Sequence, residues 1–405
     1  MSGSESYRRP RGLGRGAVLT LVFASVLATA AATDSLPHSE EKTPRPPVSS
    51  AGPAGSTADR EEVARAAAEA MADGKSGTEA AEEVVSRSGD RWGAVYDKRE
   101  YEEFRQALDG EYTGVGLWAR RTAGGLVEVT RVQAAGPARK AGIGPGDIIR
   151  SIDGTSVAKR PVTEVMALLR GDRGSAEDAS GASGAGSGSA VGTEVALVVE
   201  RDGERRTVSV RRARIGTESV TVDAIGGGAR QIKVSAFTKG SGERVRNAVK
   251  DAPRGAGVLL DLRGNAGGLV TEAVTAASAF LDGGLVATYD VRGEQRALYA
   301  DRGGDTGRPV VVLVDGGTMS AAELLTGALQ DRGRSVTVGS RTFGKGSVQM
   351  PSSLPDGSVA ELTVGHYSTP AGHGVDGRGV TPDLLVGKRA QERARTVLSG
   401  LGGTE

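Results

Sequence analysis

The sequence predicts an α/β protein, because two different spacings of apolar residues follow one another along the chain. From about Gly216, strand-like apolar runs such as "GVLLDLRG" and "PVVVLVD" alternate with helix-like runs such as "GLVTEAVTAASAFL". This alternation is typical of a largely parallel sheet covered by helices. Between residues 112 and 214 the period is two, as in "GLVEVTRV", and the pair Asp202-Gly203 predicts a hairpin, so this region is expected to be mainly β.

The first 58 residues predict an export segment followed by a linker. A basic stretch, "YRRPRGLGRG", precedes an uncharged apolar run, "AVLTLVFASVLATAAA". This order is typical of a secretory signal, so we expect 1–33 to be an export signal or a membrane anchor. A buried core helix is the alternative. The protein is then expected outside the cytoplasm, secreted or associated with the cell envelope. Residues 34–58 are rich in Pro, Ser, Gly and charge, which predicts a disordered linker.

Residues 59–111 predict a small helical segment. Asp59 is placed to cap the first helix, acidic residues fill its first turn, and Gly74 is placed to end it. Two further runs, "TEAAEEVVSRSG" and "KREYEEFRQALDG", have the same helical pattern.

The composition excludes several classes of site. The 405 residues contain no cysteine, which excludes disulfides, thiol catalysis and cysteine-ligated metals. Only three histidines are present, which argues against a zinc site. No metal and no cofactor are predicted. The net charge of +1 gives no indication of nucleic-acid binding.

The region 112–214 carries turn glycines and apolar strand residues in a set order. "YTGVGLW" opens it, "AAGPARKAGIGPGDIIRSIDGTSV" follows, and "TEVMALLR" predicts a short helix. On these motifs it resembles a PDZ domain, in which a chain end pairs with a sheet edge while backbone N–H groups hold its carboxylate. A hairpin module that binds nothing is the alternative. Residues 174–192 are rich in Gly and Ser and predict a flexible insertion. The resemblance implies a carboxylate-binding loop formed by Gly114, Val115, Gly116 and Leu117.

Ser320 is the candidate nucleophile, because a predicted strand, a Gly-Gly turn and a predicted helix surround it in "PVVVLVDGGTMSAAELLTGALQ". Such a serine needs a base, and His366 or His373 would supply one in a Ser-His-Asp triad. A buried lysine is the other option, since a pKa lowered from about 10.4 to near 7–8 makes it neutral. Lys345, between two glycines in "RTFGKGSVQ", is the candidate, with an exposed loop lysine as the alternative.

Four motifs carry a wider resemblance. They are "LDLRGNAGGL", "GGTMSAAELLTGALQDRGR", "RTFGKGSVQ" and "STPAGHGVDGRGVTPD". On them, residues 90–390 resemble the carboxyl-terminal processing peptidases, or tail-specific proteases, which are Ser-Lys enzymes with an embedded PDZ domain. The resemblance implies a crotonase- and Clp-protease-like α/β core over 215–390. It also implies an inserted mainly-β PDZ domain, an N-terminal helical segment and a C-terminal tail over 391–405.

The same resemblance implies roles for the site residues. Ser320 is the nucleophile, Lys345 is the general base, and Gln349 orients or polarises the lysine amine. Glu323 and Asp331 take supporting roles, although acids at the start and end of a helix are equally consistent with their positions.

The resemblance also implies an oxyanion hole and a function. Its donors are the backbone N–H of Ala321 and that of Gly267 or Gly268 in "NAGG". The expected function is a serine endopeptidase that cleaves protein substrates with free, apolar C-termini. A homodimer formed through the helical segment and an activating partner protein are further expectations. The alternatives are a catalytically silent peptide-binding scaffold and a crotonase-like acyl-group enzyme.

Overall fold

The computed structural model describes residues 57–122, 124–158, 160–171, 191–291 and 293–401. The expected export segment, nearly all of the expected linker and most of the Gly/Ser-rich insertion therefore lie outside the described residues. Within the described ranges, no helix is both long enough and apolar enough to cross a membrane. The chain divides into two compact units, one formed by Tyr112–Gly216 and the other by the remainder of the described chain.

The segment before the first unit is helical, as predicted, and also contains one short strand. Its elements are α1 (Arg60–Ala72), α2 (Gly77–Ser88), β1 (Ala94–Tyr96) and α3 (Lys98–Leu108). The Asp59 carboxylate caps α1 by accepting from two backbone N–H groups of the first turn. Strand β1 pairs with a strand from the far end of the chain, so its conformation depends on a tertiary partner that no local pattern indicates.

The unit Tyr112–Gly216 is mainly β. Its elements are β2 (Glu111–Gly114), β3 (Leu117–Arg121), β4 (Val127–Val132), α4 (Pro137–Lys140), β5 (Ile148–Ile152), β6 (Thr155–Ser156), α5 (Val162–Arg170), β7 (Glu194–Arg201), β8 (Glu204–Arg211) and β9 (Ala213–Gly216). One antiparallel sheet has the order β3-β4-β5-β7-β8, with β6 on β5, and β2 pairs with β9. The predicted hairpin is confirmed: Asp202 and Gly203, both with positive φ, join β7 to β8.

The other unit resumes after β9. Its elements are β10 (Val220–Ala224), β11 (Arg230–Val234), α6 (Ser241–Lys250), β12 (Val258–Asp261), α7 (Val270–Ala277), β13 (Leu285–Val291), β14 (Glu294–Tyr299), β15 (Val310–Val314), α8 (Ala321–Asp331), β16 (Val336–Gly339), β17 (Ser347–Ser353), β18 (Val359–Ser368), β19 (Leu384–Leu385) and α9 (Ala390–Leu401). Its main sheet has the order β10-β11-β12-β15-β16-β19. Within this sheet the neighbouring strands β11, β12, β15, β16 and β19 are parallel, and β10 is antiparallel at one edge. The predicted mixed α/β fold is therefore confirmed.

Both faces of the main sheet are covered. Leu260, Val310 and Val312 belong to a core that includes residues of α6, α7 and α8, whereas Leu259 and Val311 face Leu398 and its neighbours in α9. Because adjacent strand residues point to opposite faces, this double burial explains the continuously apolar strands. The segment 391–405, expected as a tail, thus forms helix α9 through Leu401 and completes the second face.

A second, antiparallel sheet lies in the same unit. Its order is β1-β18-β13-β14, with β17 paired to β18. Strand β18 pairs with β1, β13 and β17. Its residues Ala360 and Leu362 pack with the N-terminal helices, whereas Tyr367 packs in the core that contains the main sheet's helices. The loops that follow the neighbouring parallel strands β12 and β15 leave the main sheet at the same edge, and that edge holds the candidate site.

Candidate active site

Ser320 lies at the junction between β15, a short turn and α8. Its backbone has φ 54° and ψ −120°, a conformation that costs a non-glycine residue strain energy and is therefore found mainly at functional sites. The side chain is buried, and its Oγ has no hydrogen-bond partner among the residues that the structure describes. A buried hydroxyl without a partner is unusual and is what a nucleophile awaiting a base and substrate requires.

Glu323 joins Ser320 to the loop that carries Lys345. Its Oε2 accepts hydrogen bonds from Ser320 N at 2.9 Å and from Lys345 N at 2.8 Å, while its Oε1 accepts from Gly344 N at 2.7 Å. Because one carboxylate oxygen receives both N–H groups, the two backbone segments must be adjacent. Burial raises the pKa of Glu323, and the hydrogen bonds that it accepts oppose this rise.

Tyr367 joins the same two residues from the opposite side. Its hydroxyl is 2.9 Å from the carbonyl oxygen of Ser320 and 3.1 Å from that of Lys345, and both carbonyls accept from it. The ring is fully buried in β18. Glu323 therefore binds the backbone donors of the two residues and Tyr367 binds their acceptors, which fixes one residue relative to the other.

Lys345 is completely buried. Its Nζ lies 4.8 Å from the ring centroid of Trp92, which follows α2 in the N-terminal segment. Burial lowers the pKa of Lys345 from 10.5 to about 7, and the negative charges of Glu361, Asp90, Asp376 and Glu323 act in the opposite direction. A large fraction of this amine is therefore neutral near pH 7, as a general base must be.

Gln349 is buried in β17, four residues after Lys345. Its Nε2 donates to Ser347 Oγ at 2.8 Å and to Thr363 Oγ1 at 3.2 Å. Its Oε1 is buried and accepts no hydrogen bond from the described part of the chain. The amide oxygen of Gln349 is therefore available to accept a hydrogen bond.

The loop after β12 approaches Ser320 through Gly267. A Cβ atom on Gly267 would lie 2.9 Å from Ser320 Cβ, and its φ of +99° already favours glycine. The N–H of Gly267 donates to Asn265 Oδ1 at 2.8 Å, so it is not free to bind an oxyanion. The backbone N–H groups of Gly268 and Ala321 donate no hydrogen bond to any residue that the structure describes. Gly268 is therefore the better of the two glycine candidates.

Two regions of the chain match models of known protein families. Residues 230–386 match the model of peptidase family S41, and residues 128–177 match that of a PDZ domain. Over residues 230–386 the chain is therefore similar to peptidase family S41. The predicted resemblance is confirmed, and the relatives that match include serine proteases.

Three relatives illustrate the similarity. The chain is 28% identical over 331 residues to a "Probable CtpA-like serine protease" of Staphylococcus saprophyticus, covering 80% of this chain and 63% of the relative. It is 29% identical to the "Carboxy-terminal processing protease CtpA" of Bacillus subtilis, covering 74% and 62%. Among solved structures, the chain is similar to the photosystem II D1 C-terminal processing protease, with 29% identity and a TM-score of 0.47. The match covers 77% of this chain and 82% of that protease's chain. The chain spans about three fifths of the length of these curated relatives.

Three residues considered from the sequence do not join the candidate site around Ser320 and Lys345. Asp331 ends α8, about 15 Å along the helix from Ala321, and accepts from Ala371 N at 2.9 Å. His373 lies beside Asp331, with Nδ1 3.6 Å from Oδ1, and its side chain is 74% exposed. His366 precedes Tyr367 in β18 and therefore points to the opposite face, where its Nε2 lies 3.7 Å from Asp376 Oδ2. The geometry favours lysine over either histidine as the base.

Glu361 is a buried carboxyl that sequence reasoning missed. It lies in β18 on the same face as Thr363, and neither of its oxygens has a hydrogen-bond partner among the described residues. Burial raises the pKa of Glu361 to about 7, and the nearby Lys345 opposes the rise. Alternation along β18 indicates that Glu361 faces inward, but only the fold places it near the lysine.

The PDZ-like domain Tyr112–Gly216 places the residues expected to bind a carboxylate, Gly114 to Leu117, at the turn from β2 to β3. Val115 and Leu117 are buried in the core of this domain, and Gly116 has a φ of +77°. The carbonyl of Val115 accepts from Ala138 N at 2.8 Å, which anchors the loop to α4. A loop anchored in this way is suited to presenting backbone N–H groups to a ligand.

Proposed function

We propose that the chain is a serine endopeptidase that cleaves proteins near their C-termini. The observation that carries the proposal is the joint anchoring of Ser320 and Lys345. Glu323 and Tyr367 bind the backbones of both residues, and burial lowers the pKa of Lys345 to about 7. A nucleophile without a hydrogen-bond partner beside a neutral amine is the arrangement that acyl transfer needs.

Lys345 acts as the general base and then as the general acid. Its neutral amine takes the Ser320 hydroxyl proton while Oγ attacks the peptide carbonyl carbon. The resulting ammonium gives that proton to the leaving amine as the C–N bond breaks, which leaves an ester on Ser320. The regenerated amine then takes a proton from water as the water oxygen attacks the ester carbonyl carbon. The ammonium returns that proton to Ser320 Oγ as the ester C–O bond breaks and the acid is released.

The N–H groups of Ala321 and Gly268 stabilise the oxyanion. Ala321 N opens α8, where the helix dipole adds positive potential, and both N–H groups lack an acceptor among the described residues. Gly267 contributes by its lack of a side chain, which lets its backbone approach Ser320. Gln349 offers its free Oε1 to the lysine amine and so orients the base.

The PDZ domain captures the free C-terminal tail of the substrate. The loop Gly114–Leu117 holds the terminal carboxylate through its backbone, and an apolar tail side chain enters the groove between β3 and α5. The N-terminal pattern further supports export, with action outside the cytoplasm.

The test uses an unfolded protein substrate with a free apolar C-terminus and the same substrate with an amidated C-terminus. Wild type is expected to cleave the free acid, with a higher KM for the amide. Ser320→Ala is expected to bind the free acid without cleaving it. Ser399→Ala, which changes a serine on the surface helix α9, is the control and should match wild type. Binding by wild type without any cleavage would favour the silent scaffold, and cleavage by Ser320→Ala would refute the assigned nucleophile.

A further inference from the structure

Asp90 reaches the candidate site from the N-terminal segment. It follows α2, is 8% exposed, and accepts from Thr363 Oγ1 at 2.7 Å and from Thr363 N at 2.9 Å. It also accepts from Trp92 N at 3.1 Å and Gly93 N at 2.9 Å. One carboxylate thus fixes both the loop that places Trp92 against Lys345 and the side chain of Thr363.

The direction of the hydrogen bonds in this cluster follows from the chemistry of its groups. An ionised carboxylate only accepts, so the hydroxyl of Thr363 must donate its single proton to Asp90. Its lone pairs remain, and they accept from Gln349 Nε2 at 3.2 Å. The second Nε2 proton goes to Ser347 Oγ at 2.8 Å. Both amide protons are therefore used, and Oε1 of Gln349 must face away from Thr363.

We propose that Asp90, acting through Thr363, orients the amide of Gln349 so that its oxygen, and not its nitrogen, is presented to the Lys345 amine. This inference rests on the proposed function. A neutral amine has two N–H donors and one lone pair. An amide oxygen accepts one N–H and leaves the lone pair for the Ser320 proton. An amide nitrogen in its place would donate to that lone pair and disable the base.

The inference makes the N-terminal segment part of the catalytic unit. Asp90 and Thr363 touch no reacting atom and are positioning residues, separated by 273 positions in the sequence. Asp90 also carries a charge that raises the Lys345 pKa, together with Glu361, Asp376 and Glu323. Replacement of Asp90 would change orientation and charge together, so the decisive variants are at Thr363, which carries no charge.

The experiment measures kcat/KM of full-length protein across pH 6 to 10 for wild type, Thr363→Val, Thr363→Ser, Gln349→Ala and the double variant Thr363→Val/Gln349→Ala. Thr363→Val removes the hydroxyl at nearly constant side-chain volume. We expect the kcat/KM that this variant reaches at high pH to be lower than that of wild type, on the order of tenfold. Thr363→Ser keeps the hydroxyl and should restore most of the loss. In the Gln349→Ala background, Thr363→Val should cause no further fall, because the amide that it orients is gone.

The control is Thr78→Val, which removes the hydrogen bond of 2.9 Å from Thr78 Oγ1 to Asp356 Oδ2. That bond also ties α2 to the turn between β17 and β18, but it has no part in the cluster, so the wild-type plateau is expected. Additive losses of kcat/KM in the double variant would overturn the inference, and so would a wild-type plateau for Thr363→Val. In either case an active wild type would leave the proposed function intact. An inactive wild type, or an active Ser320→Ala, would instead refute the proposed function itself.

Discussion

Lys345→Met is expected to lose at least 10²- to 10⁴-fold in kcat, roughly the contribution of a general base. The reason is that Lys345 is the one titratable amine that Glu323 and Tyr367 anchor beside Ser320 in the described chain. Methionine keeps an unbranched chain against the Trp92 ring but cannot take a proton. The measurement is kcat for an unfolded protein with a free C-terminus, at pH 8.

Stability separates a lost base from a lost fold in this variant. Because burial disfavours the charged amine, replacing it with a thioether removes a desolvation cost, and the melting temperature of Lys345→Met should not fall. Lys250→Met on the exposed face of α6 is the matched control and should retain wild-type kcat. Retention of wild-type kcat by Lys345→Met would show that another group accepts the proton.

Gly267→Ala is expected to reduce kcat at least 100-fold, a loss comparable to removing an oxyanion donor. The new Cβ would lie 2.9 Å from Ser320 Cβ and 3.1 Å from Met319 O, and the positive φ of 99° adds backbone strain. Relief of this overlap must move the loop that carries Gly268 N or move the nucleophile itself. The measurement is kcat together with binding of a free-acid peptide, which the PDZ domain should still show.

Gly316→Ala is the matched control for this prediction. It adds the same methyl group in the turn before Ser320, where a Cβ meets nothing within 4 Å and φ is not positive. Its kcat should match that of wild type. Equal kcat values for Gly267→Ala and Gly316→Ala would mean that the close approach of Gly267 to Ser320 has no catalytic consequence.

The sequence predicts the parts of the site that local patterns encode. A strand, a turn and a helix around Ser320 place the nucleophile at the start of α8, and glycines on both sides of Lys345 indicate a close backbone approach. The period of the apolar residues likewise predicts the parallel sheet and the inserted β region. These features depend on neighbours within a few residues, so the sequence shows them directly.

Other parts of the site depend on contacts that no local pattern encodes. Tyr367 reaches back 47 residues to Ser320, and Asp90 bonds a residue 273 positions later. Glu361 looks like any residue of an alternating strand until the fold buries it. Asp331 illustrates the opposite error, since its place in a family motif suggests a role that its position at the far end of α8 does not support.

The final helix shows the same limit at the level of the fold. The stretch after residue 390 has few large apolar residues, and therefore resembles a tail. Small residues suffice, however, when they lie close to a sheet face, as Ala390 and Ala394 do beside Leu398 in α9. The face that these residues cover is formed by strands from four different parts of the chain, so it exists only in the folded protein.

The most direct test of the central claim is the pH dependence of kcat/KM for wild type. If buried Lys345 is the base, activity is absent when the amine is protonated and present when it is neutral. The profile should therefore rise about tenfold per pH unit at low pH, turn near pH 7 and remain level to pH 9. A profile that is still rising at pH 10, as an ordinary lysine would give, or one that does not change between pH 6 and 9, would contradict the account.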